Sequence, residues 1–201
     1  MKHRQLLIDG CRQLELNLSN HQLDLLLEYL ELMLKWNKLH NITAIDSYSE
    51  GIKKHLLDSL SILSFVKKGK ILDVGSGAGL PGIVIALMRN DVYVTSIDSV
   101  GKKCRFMEYA RLNLDLGNFN VVNDRVEIYK TDQCFNQIVS RAFATFGDTR
   151  ELTSHLICSD GEYLFMKGKN YKIESISDDF IENKVNVPFV SDERFIIQIK
   201  A

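Results

Sequence analysis

Ile71-Leu72-Asp73-Val74-Gly75-Ser76-Gly77-Ala78-Gly79-Leu80-Pro81-Gly82 is the stretch whose reading decides the fold. The apolar positions 71, 72 and 74 read as a short buried strand that runs straight into glycines at 75, 77, 79 and 82. Glycine reaches positive φ at no steric cost and carries no Cβ, so a strand-to-helix turn built this way suits a ligand lying against the main chain. Pro81 falls where a helix begins, in the first turn, where a missing N–H costs nothing. Ile83 to Met88 supplies that helix, the first crossover of an α/β sheet.

Gly77 to Gly82 satisfies G-x-G-x-x-G, a pattern associated with bound dinucleotides. Downstream, Val92 to Ile97 reads as a second strand closed by Asp98, an acidic residue about 20 positions past the loop, where it can accept both hydroxyls of a ribose. A nucleoside-containing cofactor follows, either NAD or S-adenosylmethionine. Asp73 separates the two. A carboxylate just before the first glycine opposes a pyrophosphate and suits the cationic amino-acid end of S-adenosylmethionine.

The 201 residues, 45% hydrophobic, are enough for one sizeable core with a small appended element. No window approaches the ~18 apolar residues of a membrane-crossing helix, and the start of the chain is not a secretory leader, so a cytoplasmic location is expected. The cysteines at 11, 104, 134 and 158 form no C-x-x-C pair and no Cys/His ligand spacing, which argues against zinc and against disulfides and for reduced packing residues. A net charge of −1 carries no global nucleic-acid signature, so any RNA contact must come from local basic patches.

Toward the N-terminus, leucines at 23, 26, 27, 30 and 34 follow an amphipathic helical spacing from Ser19 or Asn20 to about Asn37. A shorter helix is hinted at over residues 5 to 16, Trp36 to Ile45 reads as a connector, and Tyr48 to about Val66 as a further helix. His55 and Asp58 share one face of it, read most simply as a surface ion pair or a satisfied histidine. Lys67-Lys68-Gly69-Lys70 then divides an N-terminal helical extension, 1–68, from a cofactor-binding domain, 69–201. Beyond the loop, helix and strand patterns alternate: helix Gly101 to Leu116, strand Phe119 to Val122, strand Gln137 to Ser140, a helix around Thr149 to Cys158 and strand Glu162 to Met166. The last extended runs, Lys184 to Val190 and Arg194 to Lys200, are too close for a crossover helix and should form an antiparallel hairpin. The expected fold is α/β, Rossmann-like, with a mostly parallel sheet of about seven strands.

The loop, together with Trp36-Asn37, Asn41-Ile42-Thr43, His55-Leu56-Leu57-Asp58-Ser59, Asp124-Arg125-Val126-Glu127, Ser140-Arg141-Ala142-Phe143, Lys167-Gly168 and the closing V-P-F-V-S-D-E-R-F-I-I-Q-I-K-A, resembles the RsmG (GidB) family of bacterial 16S rRNA guanine-N7 methyltransferases. The similarity spans nearly the whole chain. It implies a class I S-adenosylmethionine-dependent methyltransferase fold with an N-terminal helical extension, acting on one guanine near the decoding site; the expected partner is 16S rRNA in the small subunit or its precursor, and a monomer is expected. By the same resemblance, Gly75 and Leu80 hold cofactor in the loop, Val126 and Glu127 lie beside the adenine, and Arg141 stands where cofactor and substrate meet. Ile42, where leucine is commoner, and Ala78, where proline often stands, depart from the pattern without removing a chemical group.

Gly77 and Asp98 join the cofactor set from the residue argument itself. Arg141, Arg125 and Lys167, with Lys169, fall at or just past strand ends, where they are expected to orient phosphate and base. Phe143 is a candidate to stack on a flipped guanine. Guanine N7 carries an in-plane lone pair and no proton at neutral pH, so in-line attack on a sulfonium methyl needs orientation rather than a general base. Two alternatives stand beside this reading: an NAD-dependent oxidoreductase, and a cofactor- or RNA-binding module without turnover.

Overall fold

The computed structural model describes residues 2–173 and 179–201. Helices α1 (Lys2–Gln13) and α2 (Asn20–His40) open the chain. α2 is fixed at its start by a capping box: Ser19 Oγ accepts from the Gln22 N–H and the Gln22 side chain accepts from the Ser19 N–H. It runs through half of the expected connector and stops at Asn41, in the left-handed conformation at φ 47. The period fades there because Asn37 Oδ1 turns to accept the N–H groups of Ile42 and Thr43, holding the departing chain.

The single helix expected over Tyr48 to Val66 is four pieces: α3 (Tyr48–Gly51), a π-helical stretch Ile52–Leu57, α4 (Asp58–Leu60) and a 3-10 turn Leu63–Phe65. Over one or two turns, apolar spacing cannot tell an α period from a π period. Strand β1 (Gly69–Val74) leads through the glycine loop and the cis Leu80–Pro81 bond into α5 (Gly82–Met88). β2 (Val92–Ile97), α6 (Gly101–Asn113) and β3 (Phe119–Val122) follow, then β4 (Phe135–Arg141) and α7 (Phe146–Thr153). α7 lies earlier than expected because Thr145 Oγ1 accepts from the Asp148 N–H and starts the helix. β5 (Ile157–Gly168) passes into a 3-10 turn Lys169–Ile173, and β6 (Phe180–Val185) and β7 (Arg194–Lys200) close the sheet. The antiparallel hairpin is present, but its first strand ends at Val185, before Pro188, which has no N–H to give a ladder.

Seven strands lie in the order β3-β2-β1-β4-β5-β7-β6. β1 to β5 pair in parallel, and β7 is antiparallel to both β5 and β6. Side chains alternate between faces, so Ile71 joins the core on one side, continuous with Leu26, Leu30, Leu56 and Leu57 of the N-terminal elements. Leu72 and Val74 join the other, with Phe146, Phe165 and Ile197. Strand order reverses between β1 and β4, where an open sheet leaves a crevice at its C-terminal edge.

The expectation of reduced cysteines is overturned at one pair: Cys134 and Cys158 are joined in a disulfide. Pairing of β4 with β5 sets Phe135 opposite Ile157, which brings the neighbouring cysteines together across a sequence separation of 24. Sequence spacing carries no sign of such a contact. Cys11 and Cys104 are free and buried.

Candidate active site

The glycine loop lies over the crevice, and its glycines serve different ends. Gly77 has φ +61 and a Cβ built there would meet nothing within 4 Å, so its backbone faces open space. A Cβ on Gly82 would come within 2.5 Å of Asp73 Oδ2, so that glycine serves the packing of α5 on β1. Asp73 lies under the turn with no exposed surface; its Oδ2 accepts from the Gly82 N–H at 3.0 Å and from Ser96 Oγ at 3.1 Å. Burial, the dominant cause, raises its pKa to about 6 against the hydrogen bonds that lower it. Its other oxygen, Oδ1, is buried with no hydrogen-bond partner among the described residues.

Asp98 ties the loop to the end of β2. Its Oδ2 accepts the Gly77 N–H and its Oδ1 the Val100 N–H, both at 2.9 Å, with Lys103 Nζ at 3.6 Å. From the other side, the buried Tyr29 hydroxyl of α2 donates to the Ala78 carbonyl at 2.6 Å.

Two cavities meet at Gly75 and Ala142. One, about 440 Å³, takes Asp98, Arg125, Val126, Glu127 and Phe143 into its wall. The other, about 480 Å³, is walled by Gly77, Leu80, Arg141 and Lys167, with Lys54 and Arg194. Ala142, at φ 55, makes the division: this left-handed turn at the end of β4 leaves Arg141 in the second cavity and Phe143 in the first. Phe143 therefore lies against the glycine loop, where a Cβ on Gly75 would come within 2.5 Å of its ring.

The expected catalytic residues are divided too. Arg141 and Lys167 share the larger cavity, whereas Arg125 stands in the other, its Nε 2.6 Å from Glu127 Oε1. Lys167 Nζ donates to the Ala144 carbonyl at 2.9 Å and lies 4.5 Å from the centre of the Phe146 ring. Lys169 is exposed, just past β5. Arg141 Nη1 reaches Asp58 Oδ2 at 3.0 Å and the Lys54 carbonyl at 3.2 Å. Arg194 Nε reaches the other carboxylate oxygen of Asp58, also at 3.0 Å.

His55 and Asp58 thus find separate partners. His55 Nε2 is 2.9 Å from Thr43 Oγ1. Burial, and then the charge of Arg141, lower its pKa to about 4, so the imidazole is neutral near neutral pH. Sequence reasoning assigned no role to Arg194, Lys54, Thr43 or Tyr29. Arg194 falls within the closing motif, but nothing local marks it as lining a cavity.

The residues fit S-adenosylmethionine. A side-chain-free backbone at Gly77 and a carboxylate at the end of β2 border the cavities at the strand-order reversal, with one compartment on each side of Gly75 for the two ends of an elongated ligand.

Residues 22–191 match the family model of GidB, rRNA small subunit methyltransferase G. A ribosomal RNA small subunit methyltransferase G from Ruthia magnifica subsp. Calyptogena magnifica is 45% identical over 98% of this chain and 97% of its own length. Another, from Pseudomonas fluorescens (strain Pf0-1), is 41% identical over 99% and 95%. Among solved structures, coclaurine N-methyltransferase bound to N-methylheliamine and SAH matches 83% of this chain and 56% of its own at TM-score 0.52 and 15% identity. TrmN from Thermus thermophilus matches 71% and 48% at TM-score 0.54 and 14% identity. These structural likenesses establish the fold.

Proposed function

The chain belongs to the GidB family, rRNA small subunit methyltransferase G, and on that premise we propose that it methylates N7 of one guanine of 16S rRNA near the decoding site. Family and fold make it an S-adenosylmethionine-dependent rRNA methyltransferase, which sets aside the oxidoreductase and the non-catalytic module.

The observation that carries the finer reading is the charge of the larger cavity. Among the described residues, Lys54, Arg141, Lys167 and Arg194 line it against one acid, Asp58. Such a wall suits a polyanion brought to a single base. When bound, S-adenosylmethionine supplies an electrophilic methyl. Gly75, Gly77, Leu80 and Asp98 hold it, with Val126 and Glu127 on the adenine side. Arg141 orients the base, and Lys167 draws in the neighbouring phosphate from the end of β5. The neutral His55, engaged with Thr43, is a poor proton acceptor at a pKa of about 4. N7 asks for none. The enzyme works in the cytoplasm as a monomer on the small subunit or its precursor; among the described residues no helix is long and apolar enough to cross a membrane.

The test is chemical cleavage at N7-methylguanosine in 16S rRNA from cells with and without the protein. Loss of one cleavage site is expected. An unchanged pattern would refute the assignment of this base and atom.

A further inference from the structure

We propose that Asp58 is a positioning residue for methyl transfer: seated between Arg141 and Arg194, its carboxylate fixes the planes of both guanidiniums at the substrate cavity. The proposal rests on the reading that the guanine enters that cavity.

Asp58 follows the π-helical stretch directly, and its side chain is 8% exposed. Its two oxygens are divided evenly, one to each arginine at 3.0 Å. The partners arrive from far along the chain, Arg141 at the end of β4 and Arg194 at the start of β7, at sequence separations of 83 and 136. Each also has a backbone anchor: Arg141 Nη1 donates to the Lys54 carbonyl and Arg194 Nη1 to that of Glu193, both at 3.2 Å. A guanidinium has five N–H donors in one plane, so these contacts set the orientation while leaving donors for a base edge or a phosphate. One carboxylate between two arginines leaves a net positive charge at the site.

A role confined to holding the fold together makes a different prediction. The arginine side chains are 21% and 26% exposed, so water can solvate them if the acid loses its charge. Asparagine at position 58 keeps the shape, but its amide oxygen accepts from one arginine while its NH₂ faces donors of the other. The folded protein would survive with the guanidiniums misaligned.

The experiment compares Asp58→Asn with the wild type and with Arg141→Lys, using small ribosomal subunits from cells lacking the protein and labelled S-adenosylmethionine. Calorimetry should give cofactor affinity within about twofold of wild type, KM for particles should move by no more than about threefold, and single-turnover transfer at saturation should fall about tenfold or more. Wild-type transfer by Asp58→Asn beside an impaired Arg141→Lys would overturn the role of Asp58 alone. Wild-type transfer by both would overturn the placement of the guanine. Should Asp58→Asn fail to fold, Arg194→Lys, which keeps the charge and loses the fork, is expected to lose rate while keeping particle affinity; an unimpaired rate there would overturn the proposal.

Discussion

At Gly77 the main chain is left-handed and the space a side chain would enter is open, so protein packing does not limit this position and the proposed ligand would. Gly77→Val should abolish S-adenosylmethionine binding while costing the fold about 1–2 kcal/mol of left-handed strain. Calorimetry beside thermal melting checks both, and normal affinity in the variant would remove the loop from the site. Asp98 accepts one N–H of the glycine loop, from Gly77, and one of the turn into α6, from Val100, as well as its expected contact with ribose. Asp98→Ala should weaken cofactor binding by roughly 1–3 kcal/mol, and an unchanged dissociation constant would count against it. The positions of Gly77 in the loop after β1, and of Asp98 and Arg141 at the ends of β2 and β4, were legible because a local pattern marks each. Arg194 and Tyr29 were not, since each is placed by a contact far away in sequence, and such pairings leave no periodicity to read.

Among the elements, α2 acts on the cofactor loop from outside the sheet, through the bond from the Tyr29 hydroxyl to the Ala78 carbonyl. Tyr29→Phe leaves that buried carbonyl without its donor, at a cost of about 1–3 kcal/mol. The melting temperature and the cofactor affinity should fall together; a drop in melting temperature with affinity unchanged would mean that the bond supports the fold alone. Strands β2 and β3 match their sequence-derived limits because β-branched runs bounded by polar residues define a strand locally. The π-helical stretch before Asp58 was invisible for the opposite reason: its apolar spacing over six residues fits an α-helix equally well, and the widened backbone turn that distinguishes it leaves no mark in the sequence.

Over the whole molecule, the buried Asp73 makes stability depend on pH in a direction opposite to that of a paired surface acid. Its pKa rises from an ordinary 3.8 to about 6, so the unfolded chain gives up this proton first, and the group's contribution is full below 3.8 and lost as pH rises through about 6. The difference in unfolding free energy between Asp73→Asn and wild type should therefore shift in favour of the variant across that window and stay constant above it. A difference independent of pH would show that burial does not perturb this carboxyl. The parallel order of the sheet and its antiparallel hairpin were foreseeable from alternating patterns and a short connection, whereas the Cys134–Cys158 bond depends on strand register, which the sequence does not display. The central claim, transfer of one methyl to N7 of a guanine in the small subunit, is tested most directly with purified protein, labelled S-adenosylmethionine and subunits from cells lacking the protein. The nucleosides of the digested 16S rRNA are then resolved by mass. The account predicts one label per particle, all of it in N7-methylguanosine; label on another atom or another base, or none at all, would contradict it.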